Sequence, residues 1–154
     1  MRDRDATLMA VARVYEEQST CDRNHVGAVI AIDGRVIGTG YNGTPAGMPH
    51  CDHTCNCLGG NSFSVRRNIP HESECPSVTP CNVAVHAEAN AITFCTKYGV
   101  ATNDATLYTT LTPCVRCSQL IINAGIVRVV YDRPYRDMSG ADLMVAAGLR
   151  VDRL

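Results

Sequence analysis

Two short stretches carry residue types suited to chemistry. Residues 86–91 read His-Ala-Glu-Ala-Asn-Ala, and residues 113–117 read Pro-Cys-Val-Arg-Cys. Cys114 and Cys117 are three apart, so on a helix they share a face and both sulfurs can reach one ion. A helix N-terminus lowers a thiol pKa and favours the thiolate that binds zinc. Taken alone, the pair also suits a redox dithiol or two core thiols. A lone His86 would more often be a satisfied structural histidine, and a lone Glu88 a solvated charge. Taken together they change meaning. His86, Cys114 and Cys117 make three nitrogen and sulfur ligands, which leaves one zinc position open, the catalytic rather than the closed structural arrangement. Zinc lowers the pKa of a water in that position toward ~7. Glu88, a carboxylate outside the ligand set, can carry its proton.

These residues need elements to hold them. Residues 3–19 carry a helical apolar stripe of Leu8, Met9, Val11, Ala12 and Val14. Two apolar runs, 26–32 and 35–38, are joined by Asp33-Gly34, a strong hairpin signal. Residues 86–97 read as a helix, with the alanines allowing tight packing, and 105–111 as a strand. Thr112 reads as an N-cap with Pro113 at the first helical position. The helix it starts presents Cys117, Leu120, Ile121 and Ala124 and ends at Gly125. A strand over 126–131, a helix over 139–147 capped by Ser139, and a strand over 149–153 complete the chain. The order α-β-β-α-β-α-β-α-β predicts an α/β fold with helices over a mixed sheet. Between 42 and 85 the pattern stops. That segment is rich in Gly, Pro, Asn and Ser and holds five of the nine cysteines plus His50, His53 and His71. A long irregular stretch inside a domain needs a cause, and metal clamping is one.

Composition excludes several classes. A chain of 154 residues suits one domain, 1–154. The formal net charge of -1 argues against nucleic acid as a partner. Aromatics are scarce, which argues against a stacking platform for single strands. No apolar run reaches the ~18 residues of a membrane span. The opening MRDRDATLMA lacks a secretory apolar region, so a cytoplasmic protein is expected. An odd cysteine count without a signal peptide speaks against a disulfide framework.

His86-x-Glu88 followed by Pro113-Cys114-x-x-Cys117 is the zinc-deaminase pattern. The sequence resembles the cytidine/deoxycytidylate deaminase superfamily, and within it the deoxycytidylate (dCMP) branch, over nearly its whole length. The matching stretches are STCDRNHVGAVI (19–30), VIGTGYNGTPAG (36–47), HAEANAI (86–92), TLYTTLTPCVRC (106–117) and LIINAGIVRVVY (120–131). The resemblance implies a three-layer α/β/α fold with a mixed five-stranded sheet. It implies catalytic zinc on His86, Cys114 and Cys117, and Glu88 as proton shuttle in hydrolytic deamination of dCMP to dUMP. Asn42 would hold the nucleotide and the Ala87 backbone N–H the cytosine carbonyl. Small Ala87, Ala89 and Gly27 would let a flat ring come close. For the 5′-phosphate, Arg23 and Tyr135 are candidates, with Arg133 and Arg136 behind them. A surface charge and a packed aromatic are the respective plain alternatives.

The resemblance also implies a homo-oligomer, a hexamer, with dCTP and dTTP as effectors and Mg2+ accompanying the triphosphate. The loop holding Gly40, Tyr41 and Gly43 would bind the effector, its amides facing phosphate. The Cys/His-rich insert, at about 48–85, resembles that of bacterial and phage members with a second, structural zinc. Cys21, Cys51, Cys75 and Cys81 are the expected ligands, with His71, Cys55 or Cys57 as substitutes. A closed four-ligand site would keep the insert ordered. Cys95 is expected to be a core thiol. Three other readings compete: a deaminase of free cytidine, dCTP or 5-modified dCMP; a tRNA adenosine deaminase; and a zinc-stabilised binding module. The charge disfavours the second, and Glu88 with the three-ligand count disfavours the third.

Overall fold

Asp33 and Gly34 take φ values of 52° and 76°, the double left-handed turn that suits a two-residue hairpin. That hairpin opens the sheet. The computed structural model describes residues 3–21, 24–48 and 84–154. In chain order the elements are α1 (Arg4–Glu16), β1 (Gly27–Ile32), β2 (Arg35–Tyr41), α2 (Ala87–Lys97), β3 (Thr106–Leu111), α3 (Val115–Asn123), β4 (Arg128–Arg133), α4 (Ser139–Ala146) and β5 (Arg150–Arg153). The strands order β2-β1-β3-β4-β5. β1 runs antiparallel to β2 and β3, while β3, β4 and β5 are parallel. The mixed five-stranded sheet and the element order are those expected.

Alternation sorts the core into two layers. Ala28 and Ile30 of β1 pack with Ala87, Ala91, Cys95, Cys117, Ile121 and Met144 on one face. Val29 and Ala31 pack with Leu8, Met9, Ala12, Tyr108 and Val130 on the other. So α1 covers one face, and α2, α3 and α4 cover the opposite one. Cys95 is fully buried under Gly38, as expected of a core thiol.

Several local expectations change. Val14 is 59% exposed. The buried stripe runs Leu8, Met9, Ala12 and on to Tyr15, which packs against the same cluster. Leu120 is 46% exposed, and Ser118 takes the inward place on α3. Ser139 is not a cap: it begins α4 behind Met138, and its N–H and hydroxyl both donate to Asp137 Oδ1, at 2.9 and 2.6 Å. Gly27 faces away from the expected ring site. A Cβ there would lie 1.9 Å from the Ala12 carbonyl oxygen, so its bareness serves the packing of α1.

A charged cluster ties α1 to β3, β4 and β5. Arg128 donates twice to Asp5, at 3.0 and 2.7 Å, and once to Asp152 at 2.7 Å. The Tyr108 hydroxyl donates to Asp5 at 2.8 Å. The Arg128 guanidinium holds the Asp5 carboxyl below its usual range, and burial beside Asp5 pushes the Tyr108 phenol up to about 12. A depressed carboxyl pKa stabilises the fold above the unfolded value of ~3.9, and that stabilisation is lost as pH falls through the folded pKa. Asp5→Asn is expected to cost about 1–2 kcal/mol at pH 7. It should also flatten part of the fall in melting temperature below about pH 4. An unchanged acid limb in thermal melts would show that Asp5 does not carry it.

Candidate functional site

Two helix N-termini meet at this site, and the residue at each N-cap is a proposed ligand. α2 starts behind His86 (φ -71°, ψ 153°) and α3 behind Cys114 (φ -72°, ψ 168°), and neither cap makes a side-chain hydrogen bond to its own helix. Their side chains are thereby free to point at each other. On α2, a Cβ at Gly40 would lie 2.3 Å from the Ala87 oxygen and 2.5 Å from the Ala91 nitrogen, so Gly40 lets the first turn sit on β2. Asn90 fixes that turn by donating to the Tyr41 carbonyl at 2.7 Å.

On α3 the expected cap was Thr112. Thr112 is still engaged with β4: its N–H and hydroxyl both donate to the Arg133 carbonyl, at 3.0 and 3.2 Å. The chain therefore turns two residues later, at Cys114. The N–H and hydroxyl of buried Ser118 anchor the Cys114 carbonyl at 2.9 and 3.0 Å. Ser118 was not singled out from the sequence, where only its spacing of four from Cys114 points to it.

His86 Nδ1 lies 3.3 Å from Cys117 Sγ and 3.5 Å from Cys114 Sγ. The three ligand atoms fall within 4.8 Å of one another, and among the described residues no other group of three His, Cys, Asp or Glu does so. With Zn–N near 2.0–2.1 Å and Zn–S near 2.3 Å, tetrahedral angles put nitrogen and sulfur about 3.5 Å apart. The donor set and its spacing therefore fit a zinc ion. The neighbouring Cys117 and His86 side chains push the Cys114 thiol down to about 3. The Cys117 thiol, beside Cys114 and buried, is pushed up. The bond to Cys114 raises His86.

Glu88 is 4% exposed although it carries a charge type that avoids the interior. Burial raises its carboxyl pKa, opposed in part by its own backbone N–H and by His86. A buried carboxyl beside three metal donors suits proton transfer.

The other expected contacts are placed less simply. Asn42 is buried, and its Oδ1 already accepts from the Ser19 hydroxyl at 2.7 Å and the Val26 N–H at 2.8 Å. Its Nδ2 donates to Asn24 O at 2.6 Å, and among the described residues the second amide hydrogen has no partner. Nothing in the sequence pattern marks Ser19 as its partner. Tyr135 is half-buried, stacked under the Arg136 guanidinium, with its N–H on Thr112 Oγ1 at 3.3 Å. Arg133 is paired with Glu16. A cavity of about 330 Å³ opens at the C-terminal ends of β3 and β4, lined by Glu16, Asn24, His25, Leu111, Arg133 and Pro134.

Two amides of the proposed effector loop are engaged within the fold. Gly40 is inside β2, Asn42 N–H donates to Val26 O, and Gly43 N–H donates to Val85 O. Tyr41 is 38% exposed. Arg23, Cys51, Cys75 and Cys81, with the substitutes Cys55, Cys57 and His71, lie outside the described residues. Cys21, the remaining expected ligand of a second metal, is buried. Among the described residues no helix is long and apolar enough to cross a membrane.

The family model described as the cytidine and deoxycytidylate deaminase zinc-binding region matches residues 2–133. The chain is 42% identical to the deoxycytidylate deaminase of Mycobacterium phage D29, over 85% of this chain and 95% of that one. It is 33% identical to the deoxycytidylate deaminase of Enterobacteria phage T2, over 95% and 89%. Among solved structures it is similar to dCMP deaminase from the cyanophage S-TIM5 in complex with dCMP and dUMP. That match has 27% identity and a TM-score of 0.80, over 100% of this chain and 99% of that chain.

Proposed function

The chain belongs to the cytidine and deoxycytidylate deaminase family, and on that premise we propose that it hydrolyses dCMP to dUMP and ammonia. The observation that carries the reading is the His86, Cys114, Cys117 cluster with buried Glu88 beside it. His86 Nδ1 and the two sulfurs would hold zinc. When bound there, the ion supplies Lewis acidity and makes water a nucleophile near neutral pH.

The chain's own groups do the rest. Water supplies the oxygen that bonds to C4, and the C4–N4 bond breaks. Glu88 takes up the two protons of that water in turn, delivers the first to N3 and passes the second to the departing amine. One water thus accounts for the new carbonyl oxygen, the N3 hydrogen and the third hydrogen of ammonia. The Ala87 N–H, at the first turn of α2, is an uncapped donor suited to the cytosine O2. The second Nδ2 hydrogen of Asn42 is the contact it can offer to the nucleotide, and Tyr135 and Arg23 are the contacts proposed for the phosphate. The domain is read as 1–154, with its Cys/His-rich insert.

Further parts of the proposal rest on the motifs shared with the dCMP branch. They are a second, structural zinc on Cys21, Cys51, Cys75 and Cys81; activation by dCTP and inhibition by dTTP with Mg2+; a homohexamer; and a cytoplasmic location. The Asn42 and Gly43 amides are already bonded to Val26 O and Val85 O, so an effector at this loop would have to use its other groups.

The testing experiment is ammonia release from dCMP, CMP, dCTP, deoxycytidine and 5-methyl-dCMP. The same assay includes dCMP saturation curves with and without dCTP. dCMP should be the preferred substrate by at least about tenfold in kcat/KM, ~1.4 kcal/mol. Its curve should change from sigmoidal to hyperbolic when dCTP is added. Equal turnover of deoxycytidine would refute the monophosphate assignment.

A further inference from the structure

Glycine is disfavoured inside a helix relative to alanine, so a buried glycine in the first turn of α4 calls for a packing reason. Gly140 is such a residue. A Cβ there would lie 2.1 Å from the Pro113 oxygen, 2.8 Å from the Cys114 carbonyl carbon and 2.8 Å from Ser118 Oγ. Two of those three atoms are backbone, so no side-chain rotation relieves the clash. Its φ lies outside the left-handed region, so the demand is for space and not for an unusual backbone. The Pro113–Cys114 segment is thus held between Gly140 on one side and the first turn of α3 on the other. There the N–H and hydroxyl of Ser118 grip the Cys114 carbonyl.

We propose that Gly140, with Ser118, is a positioning residue for the metal centre: the close approach of α4 sets where the Cys114 backbone lies and so where its sulfur meets His86. The inference rests on the reading of His86, Cys114 and Cys117 as a zinc site. A side chain at 140 pushes the Cys114 peptide away from α4. The 3.5 Å spacing between Cys114 Sγ and His86 Nδ1, which suits a shared tetrahedral ion, is then lost.

The test compares wild type, Gly140→Ala, Ser118→Ala and Gly38→Ala. Zinc affinity is read by chelator competition, thiolate–metal geometry by the absorption spectrum of the cobalt-substituted protein, and fold by thermal melting. Gly38→Ala is the control, because a Cβ there meets Cys95 Sγ at 2.4 Å, a packing insult away from the ligands. Gly140→Ala should weaken zinc binding by about 10–100-fold and shift the cobalt spectrum. Ser118→Ala should do so in the same direction by less, and Gly38→Ala should lower the melting temperature with wild-type zinc affinity. The inference is overturned if folded Gly140→Ala keeps the wild-type affinity and cobalt spectrum. Should that variant not fold, an unchanged Ser118→Ala overturns it. A wild-type protein that binds no zinc removes the premise itself, and is distinguished by the first measurement.

Discussion

Glu88→Gln is expected to lower dCMP turnover by about 10³-fold or more with zinc still bound. General acid–base catalysis by one group is worth about 10²–10⁴-fold, and Glu88 is assigned every proton transfer in the reaction. Glutamine keeps the shape of the side chain, so the buried position, 4% exposed, is filled as before. It cannot take up and release a proton. Because Glu88 lies outside the three-donor cluster, metal content should be unchanged. The paired measurements are dUMP formation and zinc per chain. Activity within about tenfold of wild type would remove Glu88 from the proton path, since that lies below the ~10² floor for such a group. Loss of zinc together with activity would make it a ligand instead.

The second large effect is that of Cys117→Ala. Cys117 is 3% exposed and belongs to the main core cluster. A zinc site releases about 10 kcal/mol or more on binding. One of three ligands then accounts for roughly 3 kcal/mol, so zinc should bind about 10²-fold more weakly or worse. The metal-free fold should change little, because alanine replaces a small buried thiol and stays apolar. Deamination should fall with zinc occupancy and recover in part at high zinc. Full activity at low zinc in this variant would show that the cluster is not the catalytic metal centre.

Much of this was legible in the sequence. Element order and sheet type followed from periodicity and from Asp33-Gly34, because these are local signals. The candidate ligands were named from residue type and spacing, since few combinations of His and Cys hold metal and leave a position open, and the structure brings those three side chains together. What failed to show was which neighbour each residue meets. Thr112 and Pro113 have the composition of a helix start, yet Thr112 is held to β4 by the two hydrogen bonds it donates to the Arg133 carbonyl across the sheet, and the cap moves to Cys114. Gly27 and Gly40 are both glycines beside an active-site motif. One clears α1 on the far face and the other clears α2 on the near face, a distinction set by strand pairing and not by composition. Asn42 reads as a ligand contact, but most of its amide is spent on Ser19, Asn24 and Val26. Such bonds join residues 16 to 23 apart, and no periodicity announces them.

The most direct test of the central claim is dUMP formation from dCMP while zinc is titrated into metal-stripped protein. Metal-free protein should be inactive, and turnover should rise with zinc and saturate when the His86, Cys114, Cys117 site is filled. Turnover that is already complete before zinc is added, or that never appears once the site is filled, would contradict the account.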